Sequence, residues 1–134
     1  MSKKKKNNEV LKQMRKIYYG DINQTDPHKD FMGYDIDDFN TPTYHHITLA
    51  QTLRSEHESD DATVENGAYL GTFSHSFLHN EIGKRDKDLY EAWNKLFQLI
   101  VKKGTLDDEG IKNTTLKLQE LSLKLANEPK KNHR

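Results

Sequence analysis

The chain has 134 residues, the usual size of one domain, and its hydrophobic content of 33% supports only a small core. It contains no cysteine, which excludes a disulfide framework and a thiolate zinc site. No apolar run reaches the length of a membrane helix, so we expect a cytoplasmic protein that does not bind membranes.

The net charge is zero, but the charges are unevenly distributed. Residues 1–16 contain seven Lys or Arg and one acidic residue, residues 17–66 contain two basic and eleven acidic residues, and residues 67–134 contain twelve basic and nine acidic residues. Because Lys and Arg contacts to phosphate dominate nucleic-acid binding, the acidic middle argues against a large non-specific footprint on DNA or RNA.

The first part of the chain is predicted to hold one short helix. Residues 1–8 are rich in lysine and predict a disordered tail, with a nucleic-acid-binding arm as the alternative. Residues 9–19 carry apolar side chains at helical spacing, so a helix is predicted to end before Gly20. Residues 21–33 are rich in Asp, Asn, Pro and Gly and predict a loop.

The middle of the chain predicts two strands and a helix. Residues 43–48 favour a strand through their Thr, Tyr and Ile content, and residues 50–59 allow one helical turn. A returning strand is expected within residues 63–70, where Asn66-Gly67 is typical of a tight turn. Residues 73–82 then predict a short helix.

The last third predicts two amphipathic helices. Asp86 is a suitable N-cap for a helix over 87–103, Trp93 is expected in the core, and Gly104 is a suitable stop. Thr105 with Asp108 resembles a capping box, which predicts a helix over about 107–127 before a polar tail at 129–134. The apolar face predicted for that helix consists of Ile111, Thr115, Leu118, Leu121 and Leu125. These C-terminal helices would also permit a homodimer.

Histidines are concentrated in residues 44–79, and their spacing points to metal chemistry. His75 and His79 stand four residues apart, which places two imidazoles on one helix face, a known metal-ligand spacing. His45 and His46 are adjacent on the predicted strand, where neighbouring side chains point to opposite faces. One of them can therefore face a metal ion while the other faces a substrate.

This arrangement resembles the HNH endonucleases in their colicin-DNase form. The resemblance rests on HHI at 45–47, ENGAYL at 65–70 and SHSFLH at 74–79, about a third of the chain. It implies an α+β fold in which a small ββα-metal core, about 43–82, is flanked by additional helices in a single domain over 9–128.

The resemblance also implies roles for individual residues. His45, His75 and His79 would ligate one divalent ion (Zn²⁺, Ni²⁺, Mn²⁺ or Mg²⁺), His46 would be the general base, and Asn66 would fix the orientation of that base. The implied activity is hydrolysis of phosphodiester bonds in nucleic acid, with DNA the expected partner. We predict that Lys84, Arg85 and Lys87, with the N-terminal lysines, contact phosphates.

Three alternatives stay open at this point. A repurposed HNH-like domain would bind nucleic acid or a protein without cutting, for example as an inhibitor encoded by a mobile element. A structural zinc site would stabilise the fold through the three histidines and a fourth protein ligand. Each motif residue also has a plain structural interpretation as a strand, turn or helix-surface residue, and His57 lies outside the motif as an expected loop residue.

Overall fold

Four helices and two short antiparallel hairpins make up the part of the chain that the computed structural model describes, residues 3–47 and 62–128. The predicted α+β class is confirmed. The predicted helical turn at 50–59, His57, the last residue of the first predicted strand and the tail at 129–134 lie outside the described residues.

The elements follow each other in a simple order. Helix α1 spans Lys3–Tyr19, and the first hairpin pairs β1, His28–Lys29, with β2, Asp35–Ile36. The second hairpin pairs β3, Pro42–His46, with β4, Gly67–Gly71, which a 3₁₀ turn at Val64–Asn66 precedes. Helix α2 then runs through Thr72–Ser76, a π-helical stretch Phe77–Ile82, and Gly83–Arg85. Helices α3, Lys87–Lys103, and α4, Glu109–Asn127, complete the fold.

Helix α1 begins earlier than the sequence pattern indicated. The backbone of residues 3–8 is helical where a disordered tail was predicted. Lysine is a good helix former, and the same helix is anchored further along by the buried side chains of Val10, Leu11 and Met14. The helix ends at Tyr19, as predicted, and Gly20 follows with φ +80°.

The β3–β4 hairpin is the platform of the candidate site. Its register places His45 opposite Ala68 and His46 opposite Gly67. The tight turn predicted at Asn66-Gly67 is wrong, because Gly67 has an extended backbone with φ −115° and is the first residue of β4. Glycine is needed there for another reason: a Cβ atom on it would overlap the Tyr44 ring, which packs directly against the backbone.

Helix α3 matches its prediction and α4 differs in detail. The Asp86 carboxylate accepts from the Leu89 amide at 3.0 Å, and Gly104 closes α3 in the left-handed conformation. For α4 the N-cap is Asp108, whose side chain accepts from Ile111 N at 3.0 Å, whereas Thr105 accepts from Asp107 N. The predicted capping box is therefore wrong, since Asp108 is itself the cap.

The face that α4 turns to the core contains Ser122 rather than the predicted Leu121. Ser122 is fully buried, and its hydroxyl accepts from the indole N–H of Trp93 at 3.0 Å, while Leu121 is 41% exposed. A buried indole N–H requires an acceptor, which explains the serine at this position. The outward face carries Leu116 and Leu123, 65% and 62% exposed, and the predicted homodimer through the C-terminal helices stays a prediction.

The core lies between the two hairpins and the four helices, to which α4 contributes Ile111 and Leu118. Its largest fully buried side chains are Trp93, Tyr69, Phe31, Phe97, Met14 and Met32, so the prediction that Trp93 is a core residue is confirmed. None of the helices within the described ranges is long and apolar enough to cross a membrane.

Candidate metal centre

The helix that carries two of the histidines is held at its N-terminus by a distant side chain. Asn40 Oδ1 accepts from the backbone amides of Phe73, at 2.7 Å, and Ser74, at 3.2 Å, and so caps amides that have no partner within α2. A Cβ atom on Gly71 would overlap the Asn40 side chain, so glycine at this position makes room for the cap.

Asp30 provides a second anchor at the same place. This carboxylate is 2% exposed; its Oδ1 accepts from the amides of Met32 and Tyr34, and its Oδ2 accepts from Gly71 N at 2.9 Å. Burial raises the pKa of Asp30, and hydrogen bonds from Ser74 and from these backbone amides oppose the rise. The first hairpin is thereby tied to the junction of β4 and α2.

The fold brings the three predicted ligands together. His45 lies on β3 and His75 and His79 lie on α2, and one ring nitrogen from each falls within 4.8 Å of the other two. His45 Nδ1 and His75 Nε2 lie 3.3 Å apart. Two nitrogens bound to one tetrahedral zinc at about 2.0–2.1 Å stand roughly 3.3–3.4 Å apart, so this pair already has the spacing of two ligands.

The three rings differ in exposure. His45 is 2% exposed, His75 is half-buried and His79 is exposed, so the cluster opens to solvent at the His79 side. Aromatic rings of α3 form its wall: Phe97 lies 5.7 Å from His45 and Tyr90 lies 5.6 Å from His79, between ring centroids. An ion held here would be enclosed on one side and accessible on the other.

The ring nitrogens that face away from the cluster are occupied. His45 Nε2 lies 2.8 Å from Asn94 Oδ1 on α3, and His75 Nδ1 lies 3.1 Å from Thr43 Oγ1 on β3. His79 makes ring contacts with His45, His75 and Tyr90, and no hydrogen bond to another part of the described chain.

Burial keeps the three imidazoles neutral. It lowers the pKa of His45 to about 3, although the hydrogen bond to Asn94 opposes this, and it lowers the pKa of His75 to about 4. The pKa of His79 is also lowered by burial. Neutral imidazole is the form that ligates a metal ion, so these rings need not lose a proton to bind one at neutral pH.

His46 follows His45 on β3, and Asn66 ends the 3₁₀ turn that precedes β4. His46 is half-buried with its ring edge-on to Tyr44 at 4.9 Å, and its charge contributes to lowering the pKa values of His45 and His75. Across the hairpin, the Asn66 carbonyl accepts from Ile47 N at 2.9 Å, one residue beyond His46. The roles of His46 as base and Asn66 as its support stay predictions.

The structure does not bring the predicted phosphate-binding residues to the three histidines. Lys84 and Arg85 line a separate cleft of about 900 Å³ between the end of α2 and α4, and no histidine lines that cleft. Arg85 is engaged there: it donates to the Glu128 carbonyl at 3.3 Å and pairs with Glu81 at 3.6 Å. Lys84 and Lys87 are exposed.

Sequence reasoning missed Thr43, Asn94 and Asn40. Strand alternation could have indicated Thr43, since it lies on the same strand face as His45 two residues later. Helical spacing could have indicated Asn94, because it is a polar residue four positions after Tyr90 and three before Phe97, both of which line the cluster. No local pattern indicates Asn40, because it caps a helix that begins 32 residues later in the chain.

The chemical character of the site is clear from its own residues. It consists of three converging neutral imidazoles with a fourth histidine beside them, on a hairpin followed by a helix. No protein-family model, no curated protein and no solved structure matches the chain.

Proposed function

We propose that this chain is a metal-dependent phosphodiester hydrolase of the HNH type that acts on nucleic acid, with DNA as its substrate. The observation that carries the proposal is the convergence of His45, His75 and His79 within 4.8 Å on a hairpin and the helix that follows it. His46 adjoins this cluster in the chain.

The donor set favours a borderline transition ion. Three imidazole nitrogens suit Zn²⁺ or Ni²⁺ better than Mg²⁺, which prefers oxygen ligands, with Mn²⁺ in between. Within residues 7–47 and 62–128 the cluster contains no fourth His, Asp or Glu ligand. We assign the fourth coordination position to a phosphate oxygen or water, as in catalytic zinc sites. When bound, the ion would supply Lewis acidity toward the charge that develops on the phosphate and the leaving oxygen.

His46 is the residue we assign to proton transfer. Because β3 alternates its side chains, His46 projects away from the face on which His45 meets His75, and it is not a member of the ligand cluster. A neutral imidazole can take a proton from an attacking water. Asn66 would support this ring from the facing end of the hairpin.

Nicking of supercoiled plasmid tests the proposal. Wild type, His46→Ala and the control Asn113→Ala, an exposed position on α4, are compared with Zn²⁺, Ni²⁺, Mn²⁺ or Mg²⁺. We expect the wild type and the control to nick with at least one ion, and His46→Ala to nick about 10²–10⁴-fold more slowly with that ion. Nicking by His46→Ala at the wild-type rate would overturn the assignment.

One observation favours a second candidate, a binding module that retains the metal site without cutting. The described surface of the acidic segment exposes Asp21, Asp35, Asp37, Asp38 and Glu65, which would repel a polyanion and attract a basic protein. A wild type that binds metal but cleaves neither DNA nor RNA with any ion would support this candidate over the hydrolase.

A further inference from the structure

We infer that Thr43 and Asn94 are positioning residues that fix in advance which nitrogen of His75 and of His45 faces the metal. This inference rests on the metal centre of the proposed function and adds residues that the HNH resemblance does not supply. It follows from counting the hydrogen atoms in two hydrogen bonds.

Thr43 determines the tautomer of His75. A hydroxyl group has one hydrogen to donate, and that of Thr43 is directed to the Leu70 carbonyl at 2.7 Å. At 3.1 Å from His75 Nδ1 the same oxygen can therefore only accept, so Nδ1 carries the ring hydrogen. In the neutral ring, the lone pair is then on Nε2, the nitrogen that faces His45.

Asn94 determines the tautomer of His45 in the opposite sense. Its amide oxygen has no hydrogen, so the contact of 2.8 Å requires that His45 Nε2 carry the ring hydrogen and donate it. The lone pair of His45 is then on Nδ1. Asn94 reaches the ring from α3, and His45 is almost completely buried, so few other partners compete for this nitrogen.

The two constraints together leave two lone pairs facing each other. His45 Nδ1 and His75 Nε2 are 3.3 Å apart, and neither has a hydrogen to share with the other. A cation between them relieves this repulsion, so two of the three proposed ligands are oriented before the ion arrives. His79, exposed and without a hydrogen bond to the described residues, is the ligand that adjusts last.

Ring nitrogen NMR on the metal-free wild type tests the tautomers directly. Two-bond ¹H–¹⁵N correlation spectra at neutral pH distinguish a protonated ring nitrogen from one with a free lone pair. We expect the Nε2–H tautomer for His45 and the Nδ1–H tautomer for His75. Equal populations of both tautomers in either ring would overturn the inference for that ring.

Matched variants test the consequence for metal binding. Asn94→Leu and Thr43→Val remove the acceptor at nearly constant volume, whereas Asn94→Asp and Thr43→Ser retain it. Loss of a second partner of a metal-bound histidine typically weakens affinity about 10–100-fold, so we expect that loss in the first pair and near wild-type affinity in the second. Asn113→Leu and Thr114→Val are controls, since both residues are exposed on α4.

The outcomes separate this inference from the proposed function. If the wild type binds no divalent ion, the proposed metal centre is wrong. The NMR spectra then still decide whether Thr43 and Asn94 fix the tautomers. If the wild type binds an ion but Asn94→Leu and Thr43→Val bind it within twofold of wild type, the positioning role is wrong. If Asn94→Leu does not fold, Thr43→Val and the wild-type spectra decide the result.

Discussion

His45 and His46 are neighbours in the chain, yet β3 places them in different surroundings. His45 is buried against His75 and Asn94, and His46 is half-buried against Tyr44. The same substitution by alanine should therefore impair a different property of the protein at each position.

We expect His45→Ala to weaken metal binding and to lose activity that excess metal partly restores. We expect His46→Ala to bind metal like the wild type but to cleave about 10²–10⁴-fold more slowly, the usual cost of losing a general base. Calorimetry and nicking rates on both variants, side by side, measure this. If excess metal rescues His46→Ala, the two roles have been exchanged.

Burial of neutral imidazoles should also make the metal-free protein sensitive to acid. The pKa values of His45 and His75 are lowered to about 3 and about 4, whereas an unfolded chain takes up protons near the ordinary value of 6.5. Below pH 6.5 the unfolded state therefore binds more protons, so stability is complete above that pH and falls as the pH decreases toward the folded pKa values.

Urea unfolding of metal-free protein at pH 7 and at pH 5 measures this effect. The wild type should lose stability between the two pH values, and His45→Gln, which cannot titrate, should lose less. An equal loss in both proteins would show that His45 does not contribute.

At the scale of single residues, sequence spacing predicted which histidines come together but not the residues that hydrogen-bond to them. A pair of histidines four apart on a helix and an adjacent pair on a strand are local patterns, and the structure brings His45, His75 and His79 together. Asn94 is 49 residues from His45 in the chain, and that contact exists only because α3 packs across the hairpin.

At the scale of elements, helices were predictable where their ends are made locally. Asp86 and Gly104 lie next to the ends of α3, and its limits at 87 and 103 were predicted correctly. Helix α2 depends on Asn40 and contains a π-helical stretch, and neither feature leaves a signal near its own sequence. At Gly67 the local sequence predicted a tight turn, but this residue packs against the Tyr44 ring and belongs to a strand.

The remote cap of α2 gives a prediction at this scale. Asn40→Ala removes the acceptor for two amides, and loss of a helix cap typically costs about 0.5–2 kcal/mol. Because His75 follows directly in the same helix, we also expect weaker metal binding. Denaturant unfolding and metal titration measure the two effects, and Asn113→Ala should show neither. Unchanged stability in Asn40→Ala would contradict the capping role.

At the scale of the whole molecule, the uneven charge distribution limits how nucleic acid can approach. Exposed acids crowd the segment that includes the first hairpin, whereas Lys84 lies in the last turn of α2 and Lys87 is the first residue of α3. Arg85, which was predicted to join them, is held by Glu81 and the Glu128 carbonyl.

The salt dependence of DNA binding should separate these three basic residues. Lys84→Ala and Lys87→Ala should each reduce the slope of log affinity against log salt by about one, as expected for one lost phosphate contact. Arg85→Ala should leave the slope near the wild-type value. Fluorescence anisotropy with labelled DNA at several salt concentrations gives the slopes, and a salt-independent affinity would instead favour a protein partner.

The single tryptophan gives the molecule an internal optical probe. Trp93 is fully buried, its indole N–H donates to Ser122 on α4, and its ring packs 6.0 Å from Phe97, which in turn lies 5.7 Å from His45. Its emission wavelength would report whether α4 is docked. Its emission intensity would report the occupant of the histidine cluster, since Ni²⁺ or Co²⁺, with partly filled d shells, quenches a nearby indole and d¹⁰ Zn²⁺ does not. Assembly of the domain and loading of its centre could thus be followed separately in the unlabelled protein.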